Sequence, residues 1–118
     1  MKKKLKVVPL SVLYNPHQYK QVKSGESATL YYFKVPKGMV LFIEKIANNW
    51  FENTYYIFKI DGERVYDKLE RSIASLNNPL VIKPPYVVKN YIKWEVYNNS
   101  DYDWTFTVFC DGKLYKEE

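Results

Sequence analysis

The residue types that perform covalent catalysis are scarce in this chain. One histidine, His17, and one cysteine, Cys110, occur among 118 residues, and Ser-His or Cys-His catalysis would have to use them. His17 follows a predicted turn at Asn15-Pro16, whereas Cys110 falls on the apolar face of an alternating stretch, where a small buried thiol is ordinary. A lone cysteine also excludes an internal disulfide and a cysteine-based zinc cluster. We therefore predict no catalytic, cofactor-binding or metal-ligating residue, and no enzymatic activity.

Carboxylates and amides gather towards the C-terminal end of the chain. Asp101, Asp103 and Asp111 occur there with Asn98 and Asn99, and oxygen ligands on a loop can hold calcium. The EF-hand pattern is absent, and Asp and Asn are also the residues that bond their own backbone in turns. We interpret these residues as turn formers. There is no glycine-rich phosphate loop, and a sandwich of this size offers little cleft for glycoside hydrolysis by paired carboxylates.

Aromatic residues are the stronger functional candidates, because the chain contains 12 tyrosines. Trp50 and Phe51 lie in a polar corner, where they either cover the end of the fold or anchor a partner or a sugar ring. Tyr91 and Tyr97 are predicted to point outward from a strand. Outward tyrosines on a sheet fill protein interfaces or stack on nucleic-acid bases.

The basic charge of the chain belongs to its first residues. The net charge is +5, from 18 basic and 13 acidic residues. Lys2, Lys3, Lys4 and Lys6 carry four of these charges, so the remainder of the chain is close to neutral. A nearly neutral domain does not favour a nucleic-acid groove. The four lysines instead suggest a basic arm that docks on a neighbouring molecule.

Short strands must position these candidates, because apolar runs alternate with turn residues along the chain. The clearest stretch is residues 33–65, where Pro36-Lys37-Gly38, Asn48-Asn49 and Asp61-Gly62 each follow one of three apolar runs. The pattern predicts strands at residues 28–35, 39–47, 54–60, 63–69, 80–83, 89–98 and from 104 onward, with Trp94 and Trp104 in the core. It also predicts one short helix at residues 70–78, a strand end at Pro84-Pro85 and a second turn at Asp111-Gly112.

Eight or nine short strands with little or no helix predict an all-β fold. The connections are too short for parallel crossovers, so we expect an antiparallel two-sheet β-sandwich of jelly-roll type. An immunoglobulin-like sandwich is the alternative, although its Cys…Trp…Cys spacing is missing. Residues 1–24 are predicted as an N-terminal basic arm or edge strand, and residues 25–118 as the sandwich domain. No apolar run is long enough to span a membrane.

Four turn segments carry a resemblance to known proteins: Val35-Pro36-Lys37-Gly38 before a long apolar strand, Ile60-Asp61-Gly62-Glu63, Pro84-Pro85, and Asn98-Asn99-Ser100. Over residues 33–112 this pattern resembles small β-sandwich structural proteins of viruses and phages, namely capsid decoration, minor capsid and tail accessory proteins. Such families present binding surfaces. The resemblance therefore implies a protein without an active site or a cofactor.

The expected function is that of a non-enzymatic virion structural protein, located in the capsid or tail of a particle and otherwise in the cytoplasm. It would form homo-oligomers and bind a larger capsid or tail protein, with nucleic acid not favoured as a partner. The alternative is a carbohydrate-binding β-sandwich module that recognises a glycan, for example on a host receptor. The residues expected at the interface are Lys2, Lys3, Lys4, Lys6, Trp50, Phe51, Tyr91 and Tyr97.

Overall fold

Strands make up almost all of the regular structure of this protein. The computed structural model describes residues 5–8 and 17–117. These described residues form nine strands: β1 (Leu5–Val8), β2 (His17–Val22), β3 (Ser27–Lys34), β4 (Met39–Asn48), β5 (Thr54–Ile60), β6 (Glu63–Leu69), β7 (Leu80–Val88), β8 (Tyr91–Asn98) and β9 (Trp104–Glu117).

The strands form two antiparallel sheets that pack face to face. In sheet A the order is β7-β4-β9, and β1 and β2 both pair with the other side of β9. β1 lies along residues 114–117 of β9, and β2 lies along residues 104–109. Sheet B contains four strands in the order β3-β8-β5-β6.

From β2 onward, the chain changes sheet at every connection except the hairpin between β5 and β6. Strands β2, β4, β7 and β9 lie in sheet A, and strands β3, β5, β6 and β8 lie in sheet B. This is the strand order of a jelly roll, in which antiparallel strands from two sheets alternate along the chain. The predicted all-β, jelly-roll-like sandwich is therefore confirmed.

The core fills the space between the two sheets with the inward side chains of alternating strands. Trp94 of β8, Phe58 of β5 and Phe106 of β9 are fully buried, and the rings of Phe58 and Trp94 stack with their centroids 4.3 Å apart. The predicted core position of Trp94 is confirmed. Trp104 is only partly buried and packs against the core from its rim.

Residues 70–78 are not helical, and the predicted short helix is wrong. The segment consists of bends and a turn that is closed by the isolated bridge between Ser75 and Asn78. The described residues contain no helix long and apolar enough to cross a membrane. The buried side chain of Asn48 organises the segment: its amide donates to the Arg71 carbonyl at 3.1 Å, and its carbonyl oxygen accepts from the Ile73 N–H at 2.9 Å. These long-range bonds pair backbone groups of the segment with a side chain of β4, so the segment does not need helical bonds to satisfy them.

Strand β7 is longer than predicted, because it continues through Pro84-Pro85 to Val88. It lies at the edge of sheet A, where a residue without an N–H group need not remove a ladder bond. The register against β4 shifts between Ile43 and Lys45 at this point. The prolines therefore interrupt the regular pairing without ending the strand.

Asp111-Gly112 is not a turn, and the prediction of a second tight connection is wrong. The dipeptide lies inside β9, opposite a register shift in β4 where Glu44 is the extra residue of a bulge. The backbone of Phe42 lies so close to Gly112 that a Cβ atom would collide with its carbonyl group. Glycine is present here because of a close approach of two strands.

Asp61-Gly62 forms the predicted hairpin turn between β5 and β6, with φ angles of 52° and 87°. Positive φ at both central residues is what a type I′ turn requires. The Asp61 carboxylate also accepts hydrogen bonds from the backbone N–H groups of Lys89, Asn90 and Tyr91, at 3.0, 2.7 and 3.0 Å. These bonds tie the hairpin to the β7–β8 turn and set the start of β8.

Candidate functional site

The outer side of sheet B carries a group of tyrosines. Strand β8 alternates as predicted: its even-numbered residues are buried, while Tyr91 and Tyr97 are half-buried and face outward. Tyr32 of β3 and Tyr55 of β5 join them through the strand register. We call this surface, defined by Tyr32, Tyr55, Tyr91 and Tyr97, the tyrosine face.

The four tyrosines are held in two pairs at opposite ends of β8. Tyr55 and Tyr97 are directly cross-strand, and their rings stack with centroids 4.8 Å apart and an angle of 8° between the planes. Tyr32 and Tyr91 are 5.6 Å apart and tilted by 33°. Because paired rings restrict each other's rotamers, the face presents aromatic area at a low entropy cost.

Charged side chains occupy the centre of the tyrosine face. Glu95 accepts bonds from the ammonium groups of Lys59 and Lys93, at 3.4 and 3.0 Å, and from the Tyr97 hydroxyl at 3.1 Å. Partial burial by itself raises the pKa of Glu95. The bonds from Lys93 and Tyr97 and the nearby lysine charges outweigh this effect, so the pKa of Glu95 lies below its usual value.

Glu95→Gln is expected to lower the free energy of unfolding at neutral pH by up to about 1 kcal/mol, because the amide loses the charge that holds both lysines. Since the folded-state pKa of Glu95 is depressed, its stabilisation is present above the ordinary glutamate pKa and is lost as pH falls through the folded value. Urea unfolding from neutral to acidic pH should therefore show the two stability curves converging in acid. A constant difference would contradict this prediction.

The structure separates the two aromatic residues of the predicted corner. Phe51 stacks on Trp104 with ring centroids 4.1 Å apart and packs against the core, so it covers the end of the sandwich. Trp50 is half-buried, and its indole N–H donates to the Thr54 carbonyl at 2.9 Å. This bond fixes the orientation of the Trp50 ring beside a surface cavity.

The cavity beside Trp50 has a volume of about 390 Å³ and shares Tyr55 with the tyrosine face. Lys68 lies within it, with its ammonium group 3.3 Å from the Glu70 carboxylate and 5.2 Å from the centre of the Tyr55 ring. We call this cavity the Trp50 pocket. Its lining residues are Trp50, Glu52, Asn53, Thr54, Tyr55, Lys68, Glu70 and Asn99.

Of the four N-terminal lysines predicted at the interface, the structure describes only Lys6. Lys2, Lys3 and Lys4 lie outside the described residues. Lys6 belongs to β1, where its backbone pairs with Lys116 of β9. Strand β2 pairs along β9 and contributes Val22, only 3% exposed, to the core. Residues 5–8 and 17–22 are therefore strands of sheet A.

The two residues considered for nucleophilic catalysis lie on adjacent strands, His17 on β2 and Cys110 on β9. Cys110 is fully buried, and burial raises the pKa of its thiol to about 12, against a smaller lowering by the Trp94 indole. His17 begins β2, and its backbone pairs with Phe109. A thiol held protonated inside the core is inert as a nucleophile at neutral pH.

The acidic residues near the C-terminus are distributed among separate structural roles. Asp103 accepts the Ser24 N–H at 2.9 Å, and Asp111 accepts the N–H of its neighbour Gly112 at 2.9 Å from within β9. Within residues 5–8 and 17–117, no group of three or more His, Cys, Asp or Glu side chains is arranged to hold a metal ion.

Comparisons with protein-family models, with curated proteins and with solved structures found no match to this chain. Its function therefore has to be inferred from the geometry and chemistry of its own surface.

Sequence reasoning missed Tyr32, Tyr55 and the acidic lining of the Trp50 pocket. The alternation of β5 places Tyr55 on the side opposite the fully buried Tyr56 and Phe58, so the outward direction of that side chain was available from the sequence. The position of Lys68 and Glu70 beside Tyr55 could not be read from the sequence, because it depends on how β6 pairs with β5.

Proposed function

We propose that the protein is a non-enzymatic structural protein of a virus or phage particle, which binds neighbouring copies of itself and a larger shell or tail protein. The observation that supports this proposal most strongly is the jelly-roll strand order of its two sheets. This architecture recurs in viral capsid domains. Because one fold serves many functions, a surface suited to assembly is needed in addition.

The tyrosine face supplies such a surface. Tyrosine is enriched at the centres of protein interfaces, because its ring buries a large apolar area and its hydroxyl still forms hydrogen bonds. Tyr32 is 57% exposed at one end of the face. The centre carries both signs of charge, with Glu95 between Lys59 and Lys93. A mixed surface lets a second copy of the chain dock without strong repulsion.

The double variant Tyr32→Ser/Tyr91→Ser is expected to weaken self-association at least about tenfold, because two ring surfaces at the interface are lost. Light scattering across a concentration series measures this change. Tyr19→Ser is the matched control, since Tyr19 is 75% exposed but lies on β2 of the other sheet. A parent chain that stays monomeric at every concentration and does not attach to assembled particles would contradict the proposal.

The basic start of the chain is tested by substitution, not by deletion. Removing β1 and β2 would strip one edge of sheet A and take Val22 out of the core. Replacing Lys2, Lys3 and Lys4 with serine keeps both strands. If these lysines dock on the larger protein, the variant should bind particles more weakly while its self-association through the tyrosine face is unchanged.

A second candidate function, carbohydrate recognition, is favoured by the Trp50 pocket. Trp50 and Tyr55 supply aromatic surface, and carboxylates and amides surround them. This combination of an apolar base and a few polar groups is typical of small-molecule sites. Loss of sugar binding in Trp50→Ala, with self-association retained, would separate this function from assembly.

A further inference from the structure

We infer that the Trp50 pocket binds neutral hexoses and discriminates against acidic sugars. This inference rests on the second candidate function, carbohydrate recognition, and adds the class of sugar. Its basis is the balance of charges in the lining, together with the fixed position of the Trp50 ring.

The pocket carries one more negative charge than positive charge. Glu52 and Glu70 contribute two carboxylates, and Lys68 contributes the single ammonium group. That ammonium group lies 3.3 Å from Glu70 and 5.2 Å from the centre of the Tyr55 ring. Lys68 is 62% exposed and neutralises one of the two carboxylates, so the lining keeps one net negative charge, which Glu52 supplies.

A neutral hexose fits this lining. The indole of Trp50 is oriented by its bond to the Thr54 carbonyl, so it offers a preformed apolar surface for the C–H side of a sugar ring. The Glu52 carboxylate accepts hydroxyl donors, and the amides of Asn53 and Asn99 both donate and accept. A volume of about 390 Å³ is sufficient for one or two sugar rings.

An acidic sugar of the same shape is disfavoured by charge alone. A carboxylate on the ligand would enter a lining whose net charge is already negative, and like charges a few ångströms apart repel even near a surface. Glucose and glucuronic acid differ only in this group. We expect the parent protein to bind glucose at least about fivefold more tightly than glucuronic acid at low ionic strength, and the ratio to shrink in high salt.

Two carboxylate variants test the charge balance directly. Glu52→Gln or Glu70→Gln brings the net charge of the pocket from −1 to zero, and the double variant brings it to +1 because Lys68 remains. The preference for glucose should decrease in the single variants and reverse in the double variant. The readout is the shift of the Trp50 indole N–H resonance on titration, assigned by its absence in Trp50→Phe.

Glu44→Gln is the control, because it makes the same charge change on β4 of the other sheet and should leave the ratio unaltered. Equal binding of the two sugars, or a ratio that does not respond to the pocket variants, would overturn the charge selection while carbohydrate binding stands. Tighter binding of tetramethylammonium than of glucose would overturn it as well, in favour of a cation site. No shift with any sugar would remove the second candidate function altogether.

Discussion

Gly112→Ala is expected to lower the free energy of unfolding by about 3 kcal/mol or more, which is the upper part of the range for overpacking. The added Cβ would collide with the carbonyl group of Phe42 and press on the Cα of Ile43, both of which are backbone atoms of the adjacent strand. Backbone in the middle of a sheet cannot move aside as a flexible side chain can. The φ angle of Gly112 lies outside the left-handed region, so the cost is steric. Urea unfolding monitored by tryptophan fluorescence measures it.

Gly38→Ala separates this collision from the general effect of replacing glycine. Gly38 has a φ of +82° but open space around it, so alanine there meets only the backbone preference and should cost about 1 kcal/mol. If Gly112→Ala costs no more than Gly38→Ala, the close approach of β4 and β9 at the bulge is not tight, and the explanation of Gly112 fails.

Asn98→Asp is expected to destabilise the fold by about 3 kcal/mol at neutral pH, because it places a carboxylate in a fully buried site built for an amide. The amide nitrogen of Asn98 donates to the carbonyls of Val22 and Tyr102, at 2.9 and 2.8 Å. Its oxygen accepts from the Ser100 N–H at 3.0 Å. A carboxylate can still accept the bond from Ser100, but its other oxygen would face the carbonyl oxygens of Val22 and Tyr102 and repel them.

The pH dependence of this variant identifies the cause. Burial and the two facing carbonyls raise the pKa of an introduced carboxyl above its unfolded value. The stability deficit should therefore be smallest at low pH, where the protonated group can donate a bond, and should grow as pH rises through the folded pKa. Asn99→Asp is the control, since Asn99 is exposed and adjacent. A deficit that does not change with pH, or that Asn99→Asp shares, would argue against buried amide bonds as the cause.

Most of the strands and the turn at Asp61-Gly62 could be predicted from local sequence alone. The alternation in β8 gave the correct buried and outward residues, and Asp61-Gly62 adopts the positive φ angles that its residue types favour. Both properties depend on neighbours along the chain, because side chains alternate with a period of two and turn conformations follow from residue type. The two-sheet arrangement followed because antiparallel strands with one apolar face must pack against each other.

The wrong predictions concern segments whose conformation depends on distant partners. The conformation of residues 70–78 depends on the hydrogen bonds of Asn48, the last residue of β4, which precedes its partners Arg71 and Ile73 by 23 and 25 residues. β7 continues through Pro84-Pro85 because it lies at a sheet edge, and Gly112 stays in β9 because a bulge in β4 brings two backbones together. Turn and helix signals at these places describe local preference, which tertiary contacts override.

The candidate surfaces show the same division. The outward direction of Tyr91 and Tyr97 follows from strand alternation. Their pairing with Tyr32 and Tyr55, and the approach of Lys68 to Tyr55 beside Trp50, require the register between β3, β8, β5 and β6, of which only β5 and β6 are consecutive in sequence. Register is set by the burial of an entire face at once, because a shift of one residue would turn every core side chain outward. The composition of the surfaces is therefore local information, whereas their geometry is a property of the complete sandwich.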